Sequence, residues 1–221
     1  GDNIAVGENP IDYARIAVYV DGKRVVDEMI NCAEKEVTVI DRTESAKSVV
    51  EIIKLSESPM SAVSVEAFAE GSAEALPEKP LKIEFIGDSI TCGYGVDDED
   101  ENHQFTTATE DVTKAYAYKT AKALDAEYSM FSASGYGIVS GYTEGDEPIS
   151  EQTIPQFYCS YGFSRGNFAG TTPQDIPWDF SKYVPAVTTR TGRLFSQSFM
   201  LIFLRSFVRK IRRLTFSALL E

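Results

Sequence analysis

The sequence predicts two parts in series, a small all-β sandwich over residues 1–70 and an α/β domain with a parallel sheet over 81–221, joined by a linker at 71–80. Three observations lead there. Short segments of alternating apolar residues fill the first part without helical periodicity. The stretch EGSAEALPEKP, residues 70–80, carries two prolines, a glycine and several charges, as linkers do. From Leu81 a strand, a helix and a second strand follow one another, the unit from which parallel sheets are built.

In the first part, Ile16, Val18 and Val20 alternate with Ala17 and Tyr19, and Asp21-Gly22 supplies a tight hairpin turn into Arg24-Val25-Val26. Val37 and Val39 repeat the alternation, SVVEIIKL reads as a buried strand, and Val63, Val65 and Ala67 read as another. In the second part, LKIEFIG is an almost unbroken apolar run, the pattern of a strand buried on both faces. TEDVTKAYAYKTAKALDA predicts an amphipathic helix starting near Thr109 or Glu110, and EYSMFSASGYG a strand that ends in glycines. Leu204, Phe207, Val208, Ile211 and Leu214 form a helical stripe in a basic tail: residues 186–221 hold seven Arg or Lys and one acid, Glu221.

Composition narrows the function. The 221 residues are 43% hydrophobic and 25% charged, ordinary for a globular protein able to bury a core. A net charge of −13 argues against nucleic acid, whose phosphates call for clustered Lys and Arg. No apolar run is long enough to span a bilayer, and no signal peptide opens the chain. Cys32, Cys92 and Cys159 match neither a disulfide framework nor a zinc spacing. The acidic run Asp97–Glu101 lacks the spaced ligands and central glycine of a calcium loop.

The chemistry concentrates in KIEFIGDSITCGYG, residues 82–95. A serine just after a parallel strand stands at the carboxyl edge of the sheet, where α/β proteins gather their sites. Its hydroxyl becomes a nucleophile when a base takes its proton and N–H donors hold the oxyanion. The bland alternative is that Asp88 or Ser89 only caps a helix. A phosphate loop fits poorly, because no Lys-Ser/Thr pair follows the glycines.

The string IEFIGDSITCGYG resembles the first block of the GDSL/SGNH hydrolases. Together with SASGYGIVSGY and WDFSKYVP it resembles carbohydrate esterase family two, over roughly residues 10–185. That resemblance implies a jelly-roll-like sandwich before a flavodoxin-like, three-layer hydrolase domain. It also implies a serine esterase removing acetyl groups from acetylated plant polysaccharide, secreted and without metal or organic cofactor. Ser89 then matches the nucleophile and first oxyanion donor, and Gly135 the second donor. After WDFSKYVP the family runs a strand into Gly-x-Asn-Asp, whose Asn is a third donor; here the sequence reads AVTTRTGRLFS, with Gly192 but no Asn after it. The family's general-base His lies beyond residue 221, so the hydrolase domain is expected to be incomplete at its C-terminus. The only histidine, His103, falls in the acidic loop and reads as solvated. The competing reading is an inactive fragment or a non-catalytic glycan-binding module. Tyr94, Tyr136 and Trp178 are candidates to stack on sugar rings, although buried packing is the commoner fate of aromatics.

Overall fold

The computed structural model describes residues 10–44, 46–65, 72–165, 170–190 and 216–220. Strand β1 (Ala14–Val20) turns through Asp21 and Gly22, both at positive φ, into the antiparallel β2 (Lys23–Ile30). That is the primed hairpin geometry the Asp-Gly pair favours. Strand β3 (Ser48–Lys54) pairs with the other edge of β1. β4 (Ala73–Ala75) is a short strand inside the stretch expected to be a linker.

β5 (Lys82–Gly87) runs into the one-turn helix α1 (Ser89–Cys92). Helix α2 (Tyr116–Ala123) then leads to β6 (Glu127–Ser132), which lies parallel to β5. β7 (Val187–Arg190) pairs in parallel with the other edge of β5, and β8 (Phe216–Leu220) joins the antiparallel sheet. The two sheets run β2-β1-β3-β8-β4 and β6-β5-β7. β5 is therefore central, with its chain neighbour β6 on one side and the distant β7 on the other. The carboxyl end of such a strand is where open α/β sheets hold their ligands.

One core joins the sheets. Ala17, Ile53 and Leu55 from the antiparallel sheet pack with Ala117, Tyr118 and Ala121 of α2 and with Ile83, Phe85 and Tyr128 of the parallel pair. The opposite face of the antiparallel sheet buries Val18, Val26 and Val50 under Val37, Val39 and Ile40. Alternation at 37–39 thus serves burial, but these residues form no strand, contrary to expectation. Residues 61–65 are likewise not a strand: Val63 packs on Ala14, Ile16 and Ile30, while Val65 is exposed, and Ala67 lies outside the described residues. Among the described residues the N-terminal strands make one antiparallel sheet, with coil over one face and α2 over the other; a second sheet that would complete the expected jelly-roll sandwich is not among them.

The amphipathic segment also departs from expectation, since the α-helix begins only at Tyr116. The Asp111 carboxylate accepts the Thr113 N–H at 2.9 Å and the Thr113 hydroxyl at 2.5 Å, closing a 3-10 turn at Val112–Lys114. Ala115 is then extended, with ψ 159°, and restarts the chain into α2. A local side-chain bond has replaced the first turns of the helix. The tail stripe at 204–214 and Gly192 lie outside the described residues.

Candidate active site

β5 ends at Gly87, and the next residue settles which side chain caps α1. Asp88 is the cap: extended (φ −112°, ψ −154°), its carboxylate accepts the Ile90 N–H at 3.1 Å. Ser89 is the first helical residue and lines a cleft of about 860 Å³. Among the described residues, neither the Ser89 hydroxyl nor its N–H has a hydrogen-bond partner.

Gly93 ends the turn at φ 80°, donating its N–H to the Ser89 carbonyl at 3.1 Å. A Cβ there would stand 2.5 Å from the Asp111 carbonyl oxygen, so only glycine lets the two backbones meet.

The second expected residue reaches the same cleft. β6 ends at Ser132, and a turn through Ser134 and Gly135 follows, with Gly135 at φ 79°. The Gly135 carbonyl accepts the Tyr142 N–H at 2.7 Å, whereas its own N–H makes no bond among the described residues. Gly135 lines the cleft with Ser89, Tyr136, Gly137, Ser140, Gly141 and Tyr142. Two unspent N–H groups and one unspent hydroxyl thus border a single cleft at the end of the central strand. A cleft of this size suits a small ligand or a few sugar rings.

The aromatic candidates separate. Tyr94 lines the cleft, and its ring stacks on Phe105 with centroids 3.9 Å apart and planes within 10°. Burial raises the Tyr94 phenol, which therefore stays neutral near pH 7. Tyr136 lines the cleft and also packs on Phe157 and Phe163. Trp178 packs beside Tyr161, away from the cleft's lining. His103 is a solvent-side residue, 63% exposed, with Nδ1 2.8 Å from the Asp98 carboxylate. It does not line the cleft, and no histidine is among the described lining residues.

Behind α1 lies a group with no signature in the sequence. Glu57, Cys92 and Glu110 are all buried and are the described side chains whose potential ligand atoms gather within 4.8 Å. One oxygen of each carboxyl is engaged with protein: Glu110 Oε2 accepts the Glu57 N–H at 2.8 Å, and Glu57 Oε2 accepts the Ser134 N–H at 2.7 Å, while Oε1 of each is buried without a hydrogen-bond partner among the described residues. Burial, reinforced by the charge of Glu57, pushes the Glu110 carboxyl up to about 8. Burial also pushes the Cys92 thiol up, so both stay protonated at neutral pH.

The comparisons agree with this architecture. The chain is 32% identical over 171 residues to a cellulase/esterase, CelE, of Acetivibrio thermocellus, covering 76% of this chain and 19% of that protein. It is 29% identical over 176 residues to an acetylxylan esterase/glucomannan deacetylase of Cellvibrio japonicus, covering 77% of this chain and 45% of the other. The chain therefore spans less than half the length of either curated relative. Among solved structures, a family two carbohydrate esterase from Clostridium thermocellum in complex with cellohexaose superposes with a TM-score of 0.65 at 24% identity. That match covers 89% of this chain and 61% of the other. An acetyl xylan esterase from the rumen bacterium Butyrivibrio proteoclasticus gives 0.68 at 20% identity, over 81% and 49% of the two chains. No family model matches. Sequence and structural relatives together point to carbohydrate esterase family two, of the SGNH type, over part of their length.

Proposed function

We propose that this relative of the family-two carbohydrate esterases carries the nucleophile and oxyanion donors of a serine esterase that removes acetyl groups from acetylated plant polysaccharide, such as xylan or glucomannan. In this reading the protein is secreted, residues 1–70 are the β-sandwich, 71–80 the linker and 81–221 the SGNH hydrolase domain, incomplete at its C-terminus. The observation that carries the proposal is the meeting of Ser89 and Gly135 on one cleft, with the Ser89 hydroxyl and both N–H groups unspent.

The chemistry is acyl transfer in two halves. Ser89 Oγ attacks the acetyl carbonyl carbon, and its proton passes to a general base. The carbonyl oxygen takes up negative charge facing the N–H groups of Ser89 and Gly135, which stabilise it more than they stabilise the neutral ester. Collapse of the intermediate breaks the bond to the sugar oxygen, which leaves with the proton. Water then repeats the sequence on the acetyl-serine and releases acetate. The neutral Tyr94 ring, backed by Phe105, offers an apolar face to a sugar ring.

The lack of histidine among the described lining residues favours a second reading, a glycan-binding module without turnover. Acetate release from acetylated xylan and glucomannan decides between them. Release by the native chain that is lost in Ser89→Ala supports the esterase. Binding of the polysaccharide without release supports the module.

A further inference from the structure

Ser89 and Gly135 come from different elements, so the distance between their N–H groups depends on what fixes α1 against the turn after β6. Cys92 Sγ of α1 lies 3.3 Å from the Ser132 hydroxyl at the end of β6, and the Glu57 side chain touches both α1 and the turn that follows β6. Glu57 Oε2 accepts the N–H of Ser134, the residue before Gly135, at 2.7 Å, and lies 3.9 Å from Sγ of Cys92, the last residue of α1. The Glu57 backbone is itself held from two sides. Lys54 Nζ donates to the carbonyls of Ser56 and Glu57 at 2.7 and 2.8 Å, and Glu110 Oε2 accepts the Glu57 N–H. Two residues earlier, the Leu55 N–H donates to the Arg15 carbonyl at 2.7 Å, which continues the pairing of the antiparallel sheet. The residue is 5% exposed, and its second oxygen, Oε1, is buried without a hydrogen-bond partner among the described residues.

Keeping a carboxyl oxygen unpaired in the interior is costly. Here the arrangement aims the other oxygen at a backbone N–H next to the cleft. We propose that Glu57 is a positioning residue of the esterase site: its carboxylate, fixed by the antiparallel sheet, sets the spacing between α1 and the Ser134–Gly135 turn so that the N–H groups of Ser89 and Gly135 converge. The inference rests on the reading of those two groups as oxyanion donors. A hydrogen bond to a carboxylate in dry surroundings is strong enough to hold a turn in one register. Donors that shift by a fraction of an ångström lose their differential hold on the transition state.

The test compares 4-nitrophenyl acetate hydrolysis by the native chain with Glu57→Gln, Glu57→Asp, Glu57→Ala and Ser89→Ala, each checked for cooperative melting. Gln keeps an acceptor at the right reach, whereas Asp keeps the charge but falls one methylene short. The expected result is a kcat within about threefold of native for Gln and lowered about ten- to a hundredfold for Asp and Ala, with KM within about threefold throughout. A kcat retained by Asp and lost in Gln, or a loss confined to KM, overturns the inference. If Ala does not fold, the Gln and Asp pair carries the comparison. If Ser89→Ala leaves hydrolysis unchanged, the esterase reading fails by itself. The positioning claim is then decided by hydrogen exchange of the Ser134 amide, which must quicken at least tenfold in Glu57→Asp and stay near native in Glu57→Gln; equal rates in both overturn it.

Discussion

The Asp88 carboxylate accepts the Ile90 N–H at 3.1 Å, and this one bond takes the capping role that Ser89 could otherwise have filled. The serine is left at the start of α1, lining the cleft with its hydroxyl unspent. Replacing Asp88 by Ala removes the acceptor and should cost about 1 kcal/mol of stability, whereas Asn should cost a few tenths. Urea unfolding of the two variants checks the difference. Esterase activity should fall more in Ala than in Asn, because an uncapped one-turn helix no longer fixes Ser89.

Gly93 faces a backbone, not a movable side chain. With φ at 80° and a prospective Cβ 2.5 Å from the Asp111 carbonyl oxygen, Gly93→Ala suffers both conformational strain and a collision. A loss of about 2–4 kcal/mol is expected. Gly22, with the same φ but open space around it, is the control: Gly22→Ala should lose only the strain, about 1 kcal/mol. Equal midpoints in urea for the two variants would refute the close approach.

Glu110 makes a prediction about pH. Its carboxyl ionises near 4.5 in an unfolded chain and near 8 in the fold, so between those values the folded state holds more protons. Stability must therefore fall as pH rises from about 4.5 to 8 and level off above, by on the order of a few kcal/mol. Glu110→Gln retains an acceptor for the Glu57 N–H and cannot ionise, so its stability should be flatter across that window and higher than native at pH 8. Asp27, held below the ordinary carboxylate range by Arg15, acts in the opposite sense and only below about pH 4. Denaturation midpoints at pH 5, 6.5 and 8 test the slope.

Arg15 ties the antiparallel sheet to the loops behind the cleft. It pairs with both oxygens of Asp27 at 2.8 and 2.9 Å, with Asp97 at 2.9 Å, and donates to the carbonyls of Ala108 and Glu110. Its side chain is only 12% exposed. Arg15→Met should destabilise by about 2–4 kcal/mol, since it strands partly buried acceptors and charges. Arg15→Lys should recover little, because an ammonium cannot reproduce the forked geometry. Unfolding free energies of the two variants measure this.

Much of this was legible in the residues themselves. The β1–β2 hairpin follows from alternation around Asp21-Gly22, and β5 and β6 from their apolar runs; the pairing of Ser89 with Gly135 comes from the family resemblance, supported by each standing at the end of a parallel strand. What escaped depends on partners. Val37 and Val39 have the pattern of a strand but no ladder to join, and Asp111 diverts a helical segment through a bond that competes with the helix. Glu57 and Glu110 stand 53 residues apart, and Glu57 and Ser134 stand 77 apart. No local spacing announces contacts of that kind, and lone acids in polar stretches read as surface.

The most direct measurement is to mix the chain with an activated acetate ester, quench turnover in acid and map acetylation by mass spectrometry of the peptides. The account predicts one acetyl group on Ser89, with hydrolysis and label both lost in Ser89→Ala. Hydrolysis that persists in Ser89→Ala, with no acetyl on Ser89 in the native chain, would contradict it.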